Sequence, residues 1–340
     1  MINIGIIGCG KQAHKHAGAL KKIEEVNIVI TDVVPELAIK FSNHMGIPMV
    51  DNIEQILKDR SIDAVDICTP TPTHKDIIIS ALQAGKHVFC EKPLCMTLEE
   101  ALAIHEQAKN TDKIIMIGYH HRFHPSYQLM KEVLREDIIG SPHFAFFRMG
   151  GRGSHRLWKH RKDQGGGAIF EIFVHKLSLI SWLFGNISRI RWLLNELVMP
   201  SRIIEGKRVN VDTEDCVMFN LEGKNGLQII CEADLITPCF MDHTEIHGDN
   251  GSICGSILHY IPTIVFCNEP RGVFNRGNNI FQYPMINLFK LELEHFLDAI
   301  KGKKEPVGTI DESIQIMSII DKLRKYYKDR GSKWIELDEI

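Results

Sequence analysis

A chain of 340 residues is too long for one ordinary hydrophobic core and fits two domains of roughly 100–200 residues each. Its 44% hydrophobic and 24% charged content is that of a folded globular protein, and a formal charge of −3 gives no global attraction to nucleic acid or to an anionic membrane, so neither is expected as a partner. The nine cysteines are odd in number, lie mostly in apolar runs and include no CxxC spacing, which argues against a disulfide framework or a zinc knuckle and for a reducing compartment, the cytoplasm.

The first eight residues lack the basic start and cleavage site of a signal peptide. No stretch reaches about 18 uninterrupted apolar residues, so no membrane span is expected. Residues 2–7 form a short apolar run, followed by Gly8-Cys9-Gly10-Lys11-Gln12-Ala13 and then by Ala13, Ala17, Leu20 and Ile23 at helical spacing. Strand, glycine turn and helix with the pattern GxGxxA match the dinucleotide fingerprint, in which the glycines let a pyrophosphate approach the helix N-terminus. A second apolar run, 26–30, leads to Asp32, 22 positions past Gly10, where a carboxylate would accept hydrogen bonds from ribose hydroxyls. An anionic Asp32 followed by Val33 and Val34 favours NAD over NADP.

The alternation continues with helices over 35–45 and 53–58, a short strand near Met49 and a strand over 64–68. Thr69-Pro70 leads into His74, and Thr73 with Asp76 predicts a capping box for a helix over 75–84. A strand over 87–90 ends in Glu91-Lys92-Pro93. Thr97 with Glu100 predicts a second capping box, and a strand over 114–117 follows. Strands separated by helices imply a parallel, doubly wound α/β sheet, with ligands at the carboxyl ends of its strands. Lys92 stands at such an end, as a solvated lysine or as one that moves a proton.

After Gly118-Tyr119 the pattern predicts a helix to about residue 135 and a strand over 143–149. Arg148, Arg152, His155, Arg156, Lys159, His160, Arg161 and Lys162 are a local basic excess, either a loop paired to acids elsewhere or a site for an anionic substrate. Arg156 and Trp158 are its candidate substrate contacts. Residues 165–185 then read as a buried helix containing Glu171 and His175. Spaced four apart, these two share a helical face and form a structural pair, two metal ligands, or an acid/base with its orienting partner. No third metal ligand is placed by spacing, and no metal is expected. Strands at 189–197, 215–221, 227–234, 241–248, 252–257 and 263–267, with turns at Asn225-Gly226 and Asp249-Asn250-Gly251, predict a mostly antiparallel sheet. Helices follow over 285–300 and 313–327, the second capped by Asp311. A sheet with one face uncovered by helices implies a homo-oligomer, a homodimer or homotetramer.

Gly8-Cys9-Gly10, Thr69-Pro70 with His74, Glu91-Lys92-Pro93, Gly118-Tyr119 with Arg122-Phe123, and Gly165-Gly166-Gly167 with His175 together resemble the glucose–fructose oxidoreductase, inositol dehydrogenase and rhizopine catabolism (Gfo/Idh/MocA) family. The resemblance implies a Rossmann domain over 1–120 and an α+β domain with a large, mostly antiparallel open sheet over 121–340, its last helices packing back on the first domain. It also implies NAD(P)-dependent hydride transfer at a hydroxyl-bearing carbon of a sugar, sugar derivative or cyclitol. The family's catalytic lysine and histidine fall on Lys92 and His175, with Glu171 in place of the usual Asp and Ser178 in place of a second Asp. His120 and His121 fall where relatives touch substrate, and Arg122 beside them is a further candidate substrate contact. A sensor that binds NAD and a sugar without turnover, or an NAD-dependent glycoside hydrolase, are the alternatives.

Overall fold

The computed structural model describes residues 1–151, 156–204, 206–327 and 333–337; Arg152 and His155 of the basic stretch lie outside them. From the amino terminus come β1 (Ile2–Ile7), α1 (Lys11–Leu20), β2 (Val26–Thr31), α2 (Pro35–Met45), α3 (Ile53–Lys58), β3 (Ala64–Ile67), α4 (His74–Gln83), β4 (His87–Glu91), α5 (Leu98–Ala108) and β5 (Ile115–Gly118). The strands form one sheet in the order β2-β1-β3-β4-β5, every pair parallel. β3 and β5 are buried along their whole length, which is why they read as apolar runs without alternation. The strand expected near Met49 is a single parallel bridge to Ile30.

Of the two capping boxes, one forms. Thr97 Oγ1 accepts from Glu100 N at 3.2 Å, and Glu100 Oε2 reaches back to Met96 N at 2.8 Å. Thr73 does not cap α4, because Thr71–Thr73 wind as a 3-10 turn that gives Thr73 near-helical dihedrals (φ −99°, ψ −8°). Its hydroxyl instead lies 2.8 Å from Thr69 Oγ1 and from the Pro70 carbonyl.

The chain continues with α6 (Pro125–Arg135), β6 (Pro142–Gly150), a π-helical turn (Ala168–Phe173), α7 (Val174–Phe184), β7 (Ile187–Glu196), β8 (Ser201–Ile204) and β9 (Lys207–Asn210). Then come β10 (Cys216–Gly223), β11 (Gln228–Asp234), β12 (Met241–Gly248), β13 (Gly251–Gly255), β14 (Thr263–Cys267) and β15 (Gly277–Phe281), followed by α8 (Leu288–Ile300), α9 (Ile310–Lys325) and β16 (Ile335–Glu336). Nine strands form a sheet ordered β15-β14-β13-β12-β6-β11-β10-β7-β16, antiparallel except where β6 meets β11, while β8 and β9 pair alone. Sequence patterning missed β8, β9, β15 and β16, which are two to five residues long and lack a run of alternating apolar residues.

Asn225 and Gly226 adopt positive φ (63° and 79°), as a tight hairpin requires. Gly251 does not. A Cβ there would come within 2.1 Å of the Phe266 carbonyl, so this glycine serves the close approach of β14. α9 starts at Ile310, and its box is Thr309 with Glu312 rather than Asp311: Thr309 Oγ1 accepts from Glu312 N at 3.3 Å and Glu312 Oε2 from Thr309 N at 2.9 Å.

Contacts divide the chain into two compact units, residues 1–120 with 287–314, and residues 121–286 with 315–340. In the first, α8 packs on α1. In the second, the π-turn packs on β6, β10 and β11. The helical stretch Lys162–Phe184, interrupted by Glu171, His175 and Lys176, is long and apolar enough by length and composition to cross a membrane, yet most of it is buried inside the protein. It is a core helix. One face of the large sheet is buried through Ala145, Phe147, Asp242, Thr244 and Ile246, and the alternate residues Phe144, Phe146, His243, Glu245 and His247 stay half-exposed.

Beneath that sheet Lys176 is fully buried. Its ammonium lies 2.8 Å from Asp242 Oδ2 and donates to Thr244 Oγ1 at 2.9 Å, and the Tyr127 hydroxyl donates to Asp242 Oδ1 at 2.8 Å. Burial pushes the lysine down and Asp242 pulls it back up. Removing one partner of such a pair leaves the other uncompensated. Asp242→Ala is therefore expected to destabilise the fold by about 3–5 kcal/mol, read as a lower denaturant midpoint. An unchanged midpoint would show that the pair carries no stability.

Candidate functional site

In the first unit the site is built at the carboxyl edge of the parallel sheet. Gly8 follows β1 with φ 95°, where a Cβ would stand 3.0 Å from the Cys68 carbonyl. Gly10 opens α1 in an extended conformation, and a Cβ there would meet nothing within 4 Å. α1 carries no side-chain cap and no acid in its first turn, so the N–H groups of Lys11, Gln12 and Ala13 face an open, electropositive helix end. That combination fits the pyrophosphate of a dinucleotide.

Asp32, just past β2, ties the turn together. Its Oδ2 accepts from Cys9 N at 2.7 Å and its Oδ1 from Val34 N at 2.8 Å. Each carboxylate oxygen keeps a second lone pair, which is what ribose hydroxyls need. Thr69 and Pro70 follow β3. His74, assigned to the cofactor by sequence, is buried with its ring nitrogens 2.9 Å from the Pro93 carbonyl and 3.0 Å from the Thr69 carbonyl, so it clamps two loops of this edge.

Glu91 is also turned inward. Its Oε1 accepts from Gln12 Nε2 at 3.0 Å and lies 2.9 Å from His16 Nε2, and its Oε2 accepts from Lys92 N at 3.1 Å. Lys92 is half-buried, and its peptide bond to Pro93 is cis. The His120 ring packs 4.7 Å from that of Phe289, and burial pushes its imidazole down to about 4, so it is neutral at neutral pH.

In the second unit His175 stands in the first turn of α7 and is nearly buried, at 6% exposure. Its ring stacks on that of His121, with centroids 4.3 Å apart and planes 17° from parallel. Glu171 lies in the π-turn, where the four-residue spacing no longer keeps to one α-helical face, and its carboxylate forms an ion pair with Lys159 at 2.5 Å. Arg122 is buried, with Nη2 donating to the Ser178 carbonyl at 2.8 Å and Nε 3.4 Å from Ser178 Oγ.

Within the basic stretch, Arg148 meets Glu232 at 3.1 Å and Arg161 lies 3.5 Å from Asp163 and 3.7 Å from Asp212. Arg156 is exposed. Trp158 is half-buried, with the Lys159 ammonium 5.6 Å from its ring centroid. Sequence reasoning missed Lys159 as the partner of Glu171, and it missed His16. The signal for His16 was present: a histidine on the apolar face of α1, and Asp66 in the middle of an apolar strand. His16, Asp66 and Cys68 place donor atoms within 4.8 Å of one another, a grouping no linear spacing suggests.

On the assignment of Asp32 to the ribose hydroxyls, Asp32→Ser is expected to lower the preference for NADH over NADPH at least about tenfold, the worth of roughly 1.4 kcal/mol, in a fluorescence titration. Equal affinity of the native protein for the two would overturn this reading of Asp32.

A family model described as an oxidoreductase family with an NAD-binding Rossmann fold matches residues 2–119, and one described as a GFO/IDH/MocA C-terminal domain matches residues 127–254. The scyllo-inositol 2-dehydrogenase (NAD(+)) of Bacillus subtilis is 28% identical over 93% of this chain and 91% of its own. The levoglucosan dehydrogenase of Pseudarthrobacter phenanthrenivorans is 29% identical over 74% of this chain and 73% of its own. Among solved structures, a levoglucosan dehydrogenase in complex with NADH superposes with a TM-score of 0.90 over the whole of both chains at 24% identity, a likeness of fold.

Proposed function

The chain belongs to the Gfo/Idh/MocA family of NAD-binding oxidoreductases, and from that premise we propose that it is a dehydrogenase acting on a CH–OH group of an uncharged sugar or cyclitol. The observation that carries the reading is the dinucleotide cradle of the first unit, with Lys92 on the same sheet edge. NAD, held by Gly8, Cys9, Gly10, Lys11, Gln12 and Asp32, would supply the hydride acceptor. Thr69, Pro70 and the loop clamped by His74 border that cradle.

His175 takes the hydroxyl proton of the substrate, or returns it in the reverse direction. Lys92 stabilises the developing alkoxide with its ammonium. His121 holds the imidazole plane by stacking, and Glu171, fixed by Lys159, shapes the substrate side of the same helix. Trp158 offers an apolar face to a sugar ring, with Arg156 nearby in sequence. An uncharged substrate is favoured because Arg148, Lys159 and Arg161 of the basic stretch already face acidic partners. The scyllo-inositol and levoglucosan dehydrogenases among the relatives support the polyol class.

Lys92→Ala and His175→Ala are each expected to keep NADH binding and to lose turnover by at least about a hundredfold. The assay incubates the protein with NAD and a panel of cyclitols, sugars and sugar phosphates and follows NADH at 340 nm. Near-normal turnover in either variant would remove that residue from the mechanism. Released aglycone without net NADH, or sugar binding with no reaction, would replace the dehydrogenase with a hydrolase or a sensor.

We assign the half-exposed face of the large sheet, with Phe144, Phe146, His243, Glu245 and His247, to a homodimer or homotetramer contact. Sedimentation velocity is expected to give a mass above that of one chain, and a monomer at micromolar concentration would refute it. The nine unpaired thiols support a reducing, cytoplasmic location.

A further inference from the structure

His16 lies on the inner face of α1 and is fully buried. Its Nδ1 is 3.1 and 3.0 Å from the two carboxylate oxygens of Asp66, in β3, and its Nε2 is 2.9 Å from Oε1 of Glu91, at the end of β4. An imidazole with a carboxylate at each nitrogen can donate to both only when doubly protonated. Burial works against that charge, but the Asp66 carboxylate outweighs it and holds the His16 pKa well above its ordinary value. For Glu91, burial would raise the carboxyl, and His16 brings it down to about 2.

The line of hydrogen bonds runs on into the backbone. Glu91 Oε2 accepts from Lys92 N at 3.1 Å, and Gln12 Nε2 braces Oε1 at 3.0 Å. On the far side of Lys92, the Pro93 carbonyl is held 2.9 Å from His74 Nδ1. Lys92 is thus anchored on both sides by buried groups that originate in β4, β3, α1 and α4.

We propose that the buried triad Asp66–His16–Glu91 is a positioning device that fixes the backbone of Lys92, and that His16 is a positioning residue for the hydride-transfer reaction. The proposal rests on the role given to Lys92 under the proposed function. The other groups that face Glu91 do not substitute for His16. Burial pushes His120 down to about 4 and the Cys68 and Cys90 thiols up, so all three are neutral at neutral pH. Lys15 is exposed, and Lys92 is the residue being held. Glu292, on α8, is fully buried, and neither of its carboxyl oxygens has a hydrogen-bond partner. Burial raises its pKa well above the usual range, which favours the neutral acid over a second carboxylate competing for the imidazolium.

The test uses the full-length protein, bound to NADH for structural readouts and, for turnover, given the polyol that yields NADH in the panel above. His16→Gln keeps one donor and removes the charge. Its kcat is expected to fall at least about tenfold while the Kd for NADH changes less than about twofold. The Lys92 amide is expected to exchange hydrogen at least about tenfold faster. The kcat–pH profile should also gain an acid limb, because Glu91 without its cation takes up a proton as the pH falls. If His16→Gln fails to fold, the double variant His16→Gln/Asp66→Asn, which removes cation and counter-charge together, is expected to fold and to show the same three changes.

Glu292→Gln is expected to retain the native kcat and pH profile. Native turnover and native Lys92 exchange in either His16 variant would overturn the proposal, as would a loss of turnover in Glu292→Gln equal to that of His16→Gln. Metal-dependent activity abolished by a Cys68→Ser change would overturn it too, by making the cluster a cation site. Near-normal turnover in Lys92→Ala would sink the role of Lys92 itself, so the two failures are distinguishable.

Discussion

Parallel pairing sends the carboxyl ends of all strands out of one edge of a sheet, and the first unit depends on that constraint more than on any single contact. Gly8 after β1, Asp32 after β2, Thr69 after β3, Lys92 after β4 and Tyr119 after β5 are spread over more than a hundred residues of sequence. Five parallel strands leave them no edge but the same one. The strand order reverses between β1 and β3, so the loops that follow these two strands diverge, and the space between them is where Gly8 passes against Cys68. Chemistry is concentrated there because the backbone has no alternative.

The second unit reaches its arrangement by a different route, a local break in helical winding. Gly167 has φ 105°, and a Cβ on it would collide with the Glu214 carboxylate at 2.4 Å. That carboxylate accepts from Ile169 N at 3.2 Å, and the Glu214 carbonyl accepts from Ala168 N at 3.0 Å, so Glu214 satisfies the start of the π-turn from outside the helix. The wider turn then separates Glu171 from the register of α7. Glu171 meets Lys159, and His175 meets His121. Two residues that a regular helix would have stacked are given different neighbours by one turn of winding.

The legible parts of the chain were those where local pattern and global constraint coincide. The GxGxxA turn, Asp32, the Thr97 box and the Asn225-Gly226 hairpin each combine a required dihedral or donor with a short sequence distance. The illegible parts depended on distant partners. Thr73 resembles a cap but sits inside a 3-10 turn, and Gly251 resembles a turn glycine but is needed for the approach of Phe266. The basic stretch read equally as a paired loop or a site for anions, in part because two of its acidic partners, Asp212 and Glu232, are distant in sequence. The triad at His16 joins positions 16, 66 and 91, and nothing short of the fold brings them together.

The grouping of α8 with residues 1–120 has a bearing on how the protein is made. Phe289 and Phe296 lie on this helix with Glu292, and the rings of His16 and Phe89 pack against them at 5.5 and 5.4 Å. A ribosome delivers the dinucleotide cradle within the first third of synthesis, yet the α8 wall beside His16 emerges only after every strand of the second sheet except β16 has been translated. The domain that starts first is therefore sealed late, and until then an aromatic pocket with two buried acids and an imidazole stands open to water and to chaperones.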